Sequence, residues 1–244
     1  MRRQILFYLV VFAALTTLFP LAAKAGVFSV TPVRIYMATK DRAIAVTVSN
    51  EGDEPIVMQA EVFSWKQKPS GEDLLTATED VILSPPIVKL AARSRQVLRL
   101  AMLGARPSTD QVTYRLIVRE VPDVATTPKD IQLQLALAFS LPVFITPPGA
   151  KRQLSCTLER VTLDTVRANC ENTGNAYAQP REFTLTGTSG DKLASRDTGG
   201  YILPTIKRSF DIKRADGRIP AGKVKLAVGL DDGSIQSFDV SVPE

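Results

Sequence analysis

Residues 131–139 read IQLQLALAF, with Ile131, Leu133, Leu135, Leu137 and Phe139 at every second position. Successive side chains of a strand point to opposite faces, so all five fall on one face. The intervening Gln132, Gln134, Ala136 and Ala138 are polar or small, and 131–141 carries no charge. Strands usually run about five or six residues, and this pattern continues well past that, towards Thr146. Such a strand is either buried in a core or offered to another protein. An uncharged sheet edge with unpaired N–H and C=O groups invites a further strand to pair with it.

Most of the remaining sequence also alternates. Ile44, Val46 and Val48 interleave with Ala45, Thr47 and Ser49. Strands are predicted at 28–37 (broken by Pro32), 43–49, 56–65, 81–86, 96–102 and 112–121. The Pro85-Pro86 pair suits a sheet edge or the start of a strand. Residues 50–55 form a turn cluster, while 66–80 and 123–130 read as polar loops. The best helical candidate, 90–105, fits strand alternation at least as well. Thr146-Pro147-Pro148-Gly149-Ala150 is the clearest break and reads as a stiff linker. Beyond it, strands are predicted at 154–163, 165–171 and 183–187. A terminal hairpin, 223–230 with 235–242, turns at Asp232-Gly233. The fold class is therefore all-β, with short strands pointing to β-sandwiches in two domains of about 100 residues each.

The protein begins with Arg2 and Arg3, an uncharged run over 4–23, and Ala23-Lys24-Ala25. This is the pattern of a secretory signal peptide, 1–25, cleaved after Ala25. A retained membrane anchor is the alternative, and Pro20 argues against it. The expected domains are then 26–147 and 148–244, with no stable membrane insertion. Losing Arg2, Arg3 and Lys24 removes three charges from a net of +5, and the small remainder gives no reason to expect nucleic acid. Cys156 and Cys170 are the two cysteines. In a secreted protein they are expected to form one disulfide, with two buried thiols as the alternative.

There is no histidine, which excludes Ser-His-Asp and Cys-His catalysis and histidine metal sites. No phosphate-binding glycine loop or GxSxG motif occurs. Glu51, Asp53 and Glu54 sit in a turn, where solvated decoration accounts for them. The protein is not expected to be an enzyme or to need a cofactor.

Four segments resemble the periplasmic pilus-assembly chaperones of the chaperone–usher pathway. They are Val30-Thr31-Pro32-Val33-Arg34-Ile35-Tyr36; Leu83-Ser84-Pro85-Pro86 continuing through Leu90 to Gln96-Val97-Leu98-Arg99-Leu100; Tyr114-Arg115-Leu116-Ile117-Val118-Arg119-Glu120-Val121-Pro122; and the 131–139 strand running into Leu141-Pro142-Val143-Phe144. Asn172-Thr173-Gly174-Asn175-Ala176-Tyr177 is similar to the family's second domain. The resemblance implies two immunoglobulin-like domains in an L or boomerang. It implies a chaperone that lends its long strand to a fimbrial (pilin) subunit lacking one, then delivers the subunit to an outer-membrane usher. Ile131, Leu133, Leu135, Leu137 and Phe139 would be the lent residues. Self-association of the free chaperone to cover this strand stays open. The rival function is a secreted two-domain adhesin or carbohydrate-binding protein, with a carboxylate-dependent β-sandwich hydrolase a further alternative.

The resemblance also implies a pair of basic residues that hold the subunit's C-terminal carboxylate. Arg34 matches the first. The second is a lysine in the family, and Pro142 takes its place here. Strand phase offers a substitute. Tyr114, Leu116 and Val118 share a core-facing side, so Arg115, Ile117 and Arg119 face the other way. Arg115 is the expected replacement and Arg119 the runner-up, with a solvated surface arginine as the alternative for Arg115. Lys89 and Arg99 are weaker candidates that salt bridges explain as well. Trp65 and Tyr177 read as core or interface aromatics.

Overall fold

The structure, a computed structural model, describes residues 28–122 and 136–244. The expected signal peptide, the 123–130 loop, and Ile131, Leu133 and Leu135 lie outside the described residues.

Ten strands precede the Pro147-Pro148 break: β1 (Phe28–Thr31), β2 (Ile35–Ala38), β3 (Ala43–Asn50), β4 (Ile56–Gln67), β5 (Asp73–Ala77), β6 (Val81–Ser84), β7 (Ile87–Leu90), β8 (Arg95–Met102), β9 (Val112–Val121) and β10 (Ala138–Thr146). One sheet has the order β1-β3-β8-β6, and the other β2-β10-β9-β4-β5 with β7 also on β4. The alternation seen in sequence puts Val46 and Val48, Leu98 and Leu100, Leu116 and Val118, and Leu141, Val143 and Ile145 into one core between the sheets. The Pro85-Pro86 pair follows β6, which is the last strand of its sheet. A proline there removes no donor from a central ladder.

Seven strands follow: β11 (Leu154–Arg160), β12 (Thr165–Asn172), β13 (Pro180–Thr186), β14 (Lys192–Asp197), β15 (Lys207–Lys213), β16 (Gly222–Leu230) and β17 (Ile235–Val242). They form sheets β11-β12-β15 and β14-β13-β16-β17 around a second core that includes Phe183, Leu185, Phe210, Ile212, Leu226 and Val228. The molecule is thus two immunoglobulin-like β-sandwiches, and no helix occurs among the described residues. The helical alternative at 90–105 gives way to β8, which pairs with β3 and β6.

Two sequence expectations change. The region 66–80 is not all loop, because β5 pairs back onto the end of β4 with Trp65 opposite Leu75. All five β5 residues are exposed, so no buried-face alternation marks it as a strand. Strands β7, β14 and β15 are also additions to the sequence-based expectation.

Cys156 and Cys170 lie directly opposite each other on β11 and β12 and form a disulfide with both residues in the second core. Their sequence separation is 14. Replacing both with alanine removes a link whose loss costs about 3 kcal/mol on the chain-entropy model. The urea midpoint of the double variant should fall accordingly and no longer respond to reductant.

Candidate functional site

The site begins at a change of sheet. β1 pairs with β3 in one sheet, while β2 pairs in parallel with β10 in the other. The crossing falls at residues 32–34, where Pro32 has no N–H to continue a ladder. Arg34 stands at this crossing and reaches the second sandwich. Its Nη1 donates to Asp231 Oδ2 at 2.6 Å and its Nη2 to Gln179 Oε1 at 2.7 Å. Asp231, in the turn after β16, has a side chain only 5% exposed. It also accepts from Arg152 Nη1 at 3.1 Å and from the Tyr177 hydroxyl at 3.0 Å. One buried carboxylate therefore fastens an arginine from each side of the cleft. Burial alone would lower the Arg34 pKa, but the Tyr36 hydroxyl, Tyr201 and Asp231 outweigh it and the net shift is upward. Burial also raises the Tyr177 pKa, helped by its hydrogen bond with Tyr36 and opposed by Arg152.

Aromatic side chains fill the space beside this ion-pair group. Phe144 has the opposite strand phase to Leu141, Val143 and Ile145 and so faces away from the first core. It stacks on Tyr177 with ring centroids 4.0 Å apart, and lies 5.6 Å from Tyr201 and 6.0 Å from Trp65. Trp65, Phe144, Tyr177 and Leu203 form a third buried cluster bridging the two sandwiches. Two glutamines reinforce it. Gln67 Oε1 accepts from the Leu203 N–H at 2.9 Å, and Gln111 Oε1 from the Tyr177 N–H at 2.9 Å. Reading Trp65 and Tyr177 as interface aromatics holds.

Arg115 lies on the face of β9 that strand phase predicts, while Tyr114, Leu116 and Val118 enter the core. Its guanidinium sits 3.8 Å over the Trp65 ring and 5.5 Å from the Tyr201 ring. The Arg34 guanidinium is 5.8 Å from that same Tyr201 ring. The two arginines thus meet around one tyrosine of the second sandwich. Arg115 is directly opposite Pro142 in the β9–β10 register. Its Nη2 donates to Asp73 Oδ2 at 3.2 Å. Burial lowers the Arg115 pKa, with Asp73 and Tyr201 opposing the change. Arg119 pairs instead with Glu61 on β4. Sequence reasoning does not reach Tyr201, Asp231 and Arg152, since each acts through a contact with a distant residue.

The long strand changes character along its length. Leu141, Val143 and Ile145 are core, but Leu137 and Phe139 on the same phase are 44% and 37% exposed. Phe139 meets only the rim of the core, edge-on to Phe28 at 5.0 Å. On one side β9 pairs with β10 from Ala138 onward, and on the other β2 starts only at Val143. Among the described residues, 138–142 therefore has one strand edge without a ladder. Pro142, which lacks an N–H, sits just before that second ladder begins.

The fold and the cleft define a two-domain immunoglobulin-like protein with basic groups between its domains and a part-exposed apolar strand. The protein belongs to the pili and flagellar-assembly chaperone family, whose PapD N-terminal domain matches residues 27–151. No curated protein sequence matches it significantly. The chaperone–tip subunit complex CsuC–CsuE of the archaic Csu pili of Acinetobacter baumannii is similar in fold. It has a TM-score of 0.63 and 22% identity, over 89% of this chain and 100% of that one. The E. coli chaperone DraB is also similar, with a TM-score of 0.58 and 21% identity over 90% of this chain and 98% of that one. The Pseudomonas aeruginosa CupB2 chaperone gives a TM-score of 0.56 and 18% identity, over 88% and 100%.

Replacing Asp231 with alanine leaves Arg34 and Arg152 without their shared acceptor. Hydrogen bonds to charged groups contribute roughly 1.5–3 kcal/mol, and water reaches both arginines in part. The unfolding free energy should drop by about 2 kcal/mol, measured by urea titration, with faster proteolysis at 146–150.

Proposed function

We propose that this protein is a periplasmic chaperone that binds, folds and caps fimbrial subunits by lending them the strand at 131–139, and then passes them to an outer-membrane usher. Residues 1–25 would direct secretion, 26–147 would carry the lent strand, and 148–244 would complete the cleft. The observation that carries the reading is the single apolar phase of the long strand. Its far end is core at Leu141, Val143 and Ile145, while Leu137 and Phe139 stand half-exposed beside an unpaired strand edge. A strand added to that edge would take its hydrogen bonds from the backbone and its specificity from alternate side chains, a recognised form of β-augmentation. Burying one such side chain contributes roughly 1.5–3 kcal/mol. Five give on the order of 7–15 kcal/mol before ordering costs, enough to cap a subunit and still allow exchange for a better-fitting strand. The similar folds include chaperone complexes with the tip subunit CsuE and with the SafA pilin of Salmonella enterica.

Arg34 and Arg115 are the proposed anchors for the subunit's C-terminal carboxylate. A guanidinium has five N–H donors, so the two bonds from Arg34 to Asp231 and Gln179 leave donors over. Those bonds also hold it in one orientation. Charge-assisted contacts of this kind suit a carboxylate.

Co-expression with candidate fimbrial subunits tests the reading. Leu137→Glu should abolish co-purification while leaving the urea midpoint of the isolated protein unchanged. If the variant instead unfolds the isolated protein, the strand is ordinary core and the adhesin reading gains. Arg115→Ala should reduce capture by about tenfold or more, the scale of one lost hydrogen bond to a charged group. Undiminished capture would remove Arg115 from the site.

A further inference from the structure

The two arginines of the cleft are paired in different ways. Arg34 is held by Asp231, which is 5% exposed and shared with Arg152 and Tyr177. Arg115 is held by Asp73, whose side chain is 42% exposed while that of Arg115 is 12% exposed. Asp73 belongs to β5, the outermost strand of its sheet, and all of β5 is exposed. The contact is a single bond, Nη2 to Oδ2 at 3.2 Å. A carboxylate that engages a guanidinium with both oxygens binds it more strongly than one that uses a single oxygen.

We propose that Asp73 is an internal placeholder for the partner's carboxylate: it occupies Arg115 in the free chaperone and is displaced when the C-terminus of a subunit arrives. The inference rests on the reading that Arg115 receives a carboxylate. Both carboxylates cannot share the guanidinium at low cost, because like charges at contact distance repel. Displacement is local. Asp73 Oδ1 also accepts from Gln67 Nε2 at 3.0 Å. Gln67 keeps its bonds to the Tyr201 carbonyl at 3.1 Å and the Leu203 N–H at 2.9 Å whether or not Asp73 stays. The link to the second sandwich therefore survives the exchange, and Asp73 is free to turn into water from its edge strand. Meanwhile Trp65 holds the guanidinium plane from one side at 3.8 Å. The placeholder keeps a buried charge paired when no subunit is present, and it sets a threshold that a neutral or amidated peptide end does not cross.

Trp65 is the single tryptophan and lies against Arg115, so its fluorescence reports the exchange. The full secreted protein is titrated at constant ionic strength with N-acetylglycylglycine, which has a free carboxylate, and with its amide. Asp73→Asn keeps an acceptor for Gln67 but removes the charge. It should bind the acid about threefold more tightly than the wild type, the scale of a half-exposed ion pair, with no response to the amide. Asp73→Ser should behave likewise, which guards against a local packing effect of asparagine. Affinity in both variants equal to or weaker than wild type overturns the placeholder, as does silence in both. Arg115→Ala separates this from the anchor reading. If it abolishes the response while the Asp73 variants match wild type, the anchor stands and the placeholder falls. If Arg115→Ala still responds to the acid, the anchor itself is wrong.

Discussion

Strand β10 serves two cores at once. Its odd positions, Leu141, Val143 and Ile145, fill the first sandwich, while Phe144 on the opposite phase stacks against Tyr177 of the second. Because strand phase has a period of two, sliding the register by one residue would exchange these sets and spoil both interfaces. The same lock governs the described residues just upstream, 137–140. It fixes Leu137 and Phe139 on the apolar phase. The part-exposed residues Leu137 and Phe139 thus have their phase set by the part that is already buried.

The cleft pairs one arginine with a buried carboxylate and the other with a half-exposed one. Asp231 is buried and receives three donors, so Arg34 is oriented by a group that solvent does not easily replace. Burying ions is costly unless they are paired and hydrogen-bonded, and this group meets that condition from both sandwiches. Arg115 rests on Trp65 and is satisfied by an aspartate on an exposed edge strand. Pro142 on the long strand carries no charge. The opposite residue across the β9–β10 ladder is Arg115, so a cation reaches the same neighbourhood from the adjacent strand.

Alternation makes most of the fold legible. The β9 boundaries follow from the sequence because Tyr114, Leu116 and Val118 alternate cleanly with Arg115, Ile117 and Arg119. The terminal hairpin is legible because Asp232-Gly233 supplies turn chemistry between two alternating runs. Strand β5 is hidden because both its faces meet water, so no burial pattern shapes its sequence. Strand β15 does carry a signal, with Phe210 and Ile212 buried between charged residues, but only two buried positions mark it and both its ends are charged. In the cleft, strand phase gives the face on which Arg115 lies, whereas the contacts of Asp231 and Tyr201 are not readable locally. Asp231 looks like turn decoration next to Asp232-Gly233, and its role depends on Arg34, 197 positions away in sequence.

The long strand, on this account, is lent to a partner through its open edge and apolar phase. Hydrogen–deuterium exchange of the free protein, compared with the protein co-purified with a fimbrial subunit, tests this most directly. The account predicts strong new protection of backbone amides within 131–141, with little change in the ladders of β11–β17. Unchanged exchange across 131–141, with protection confined to the second sandwich, would contradict it.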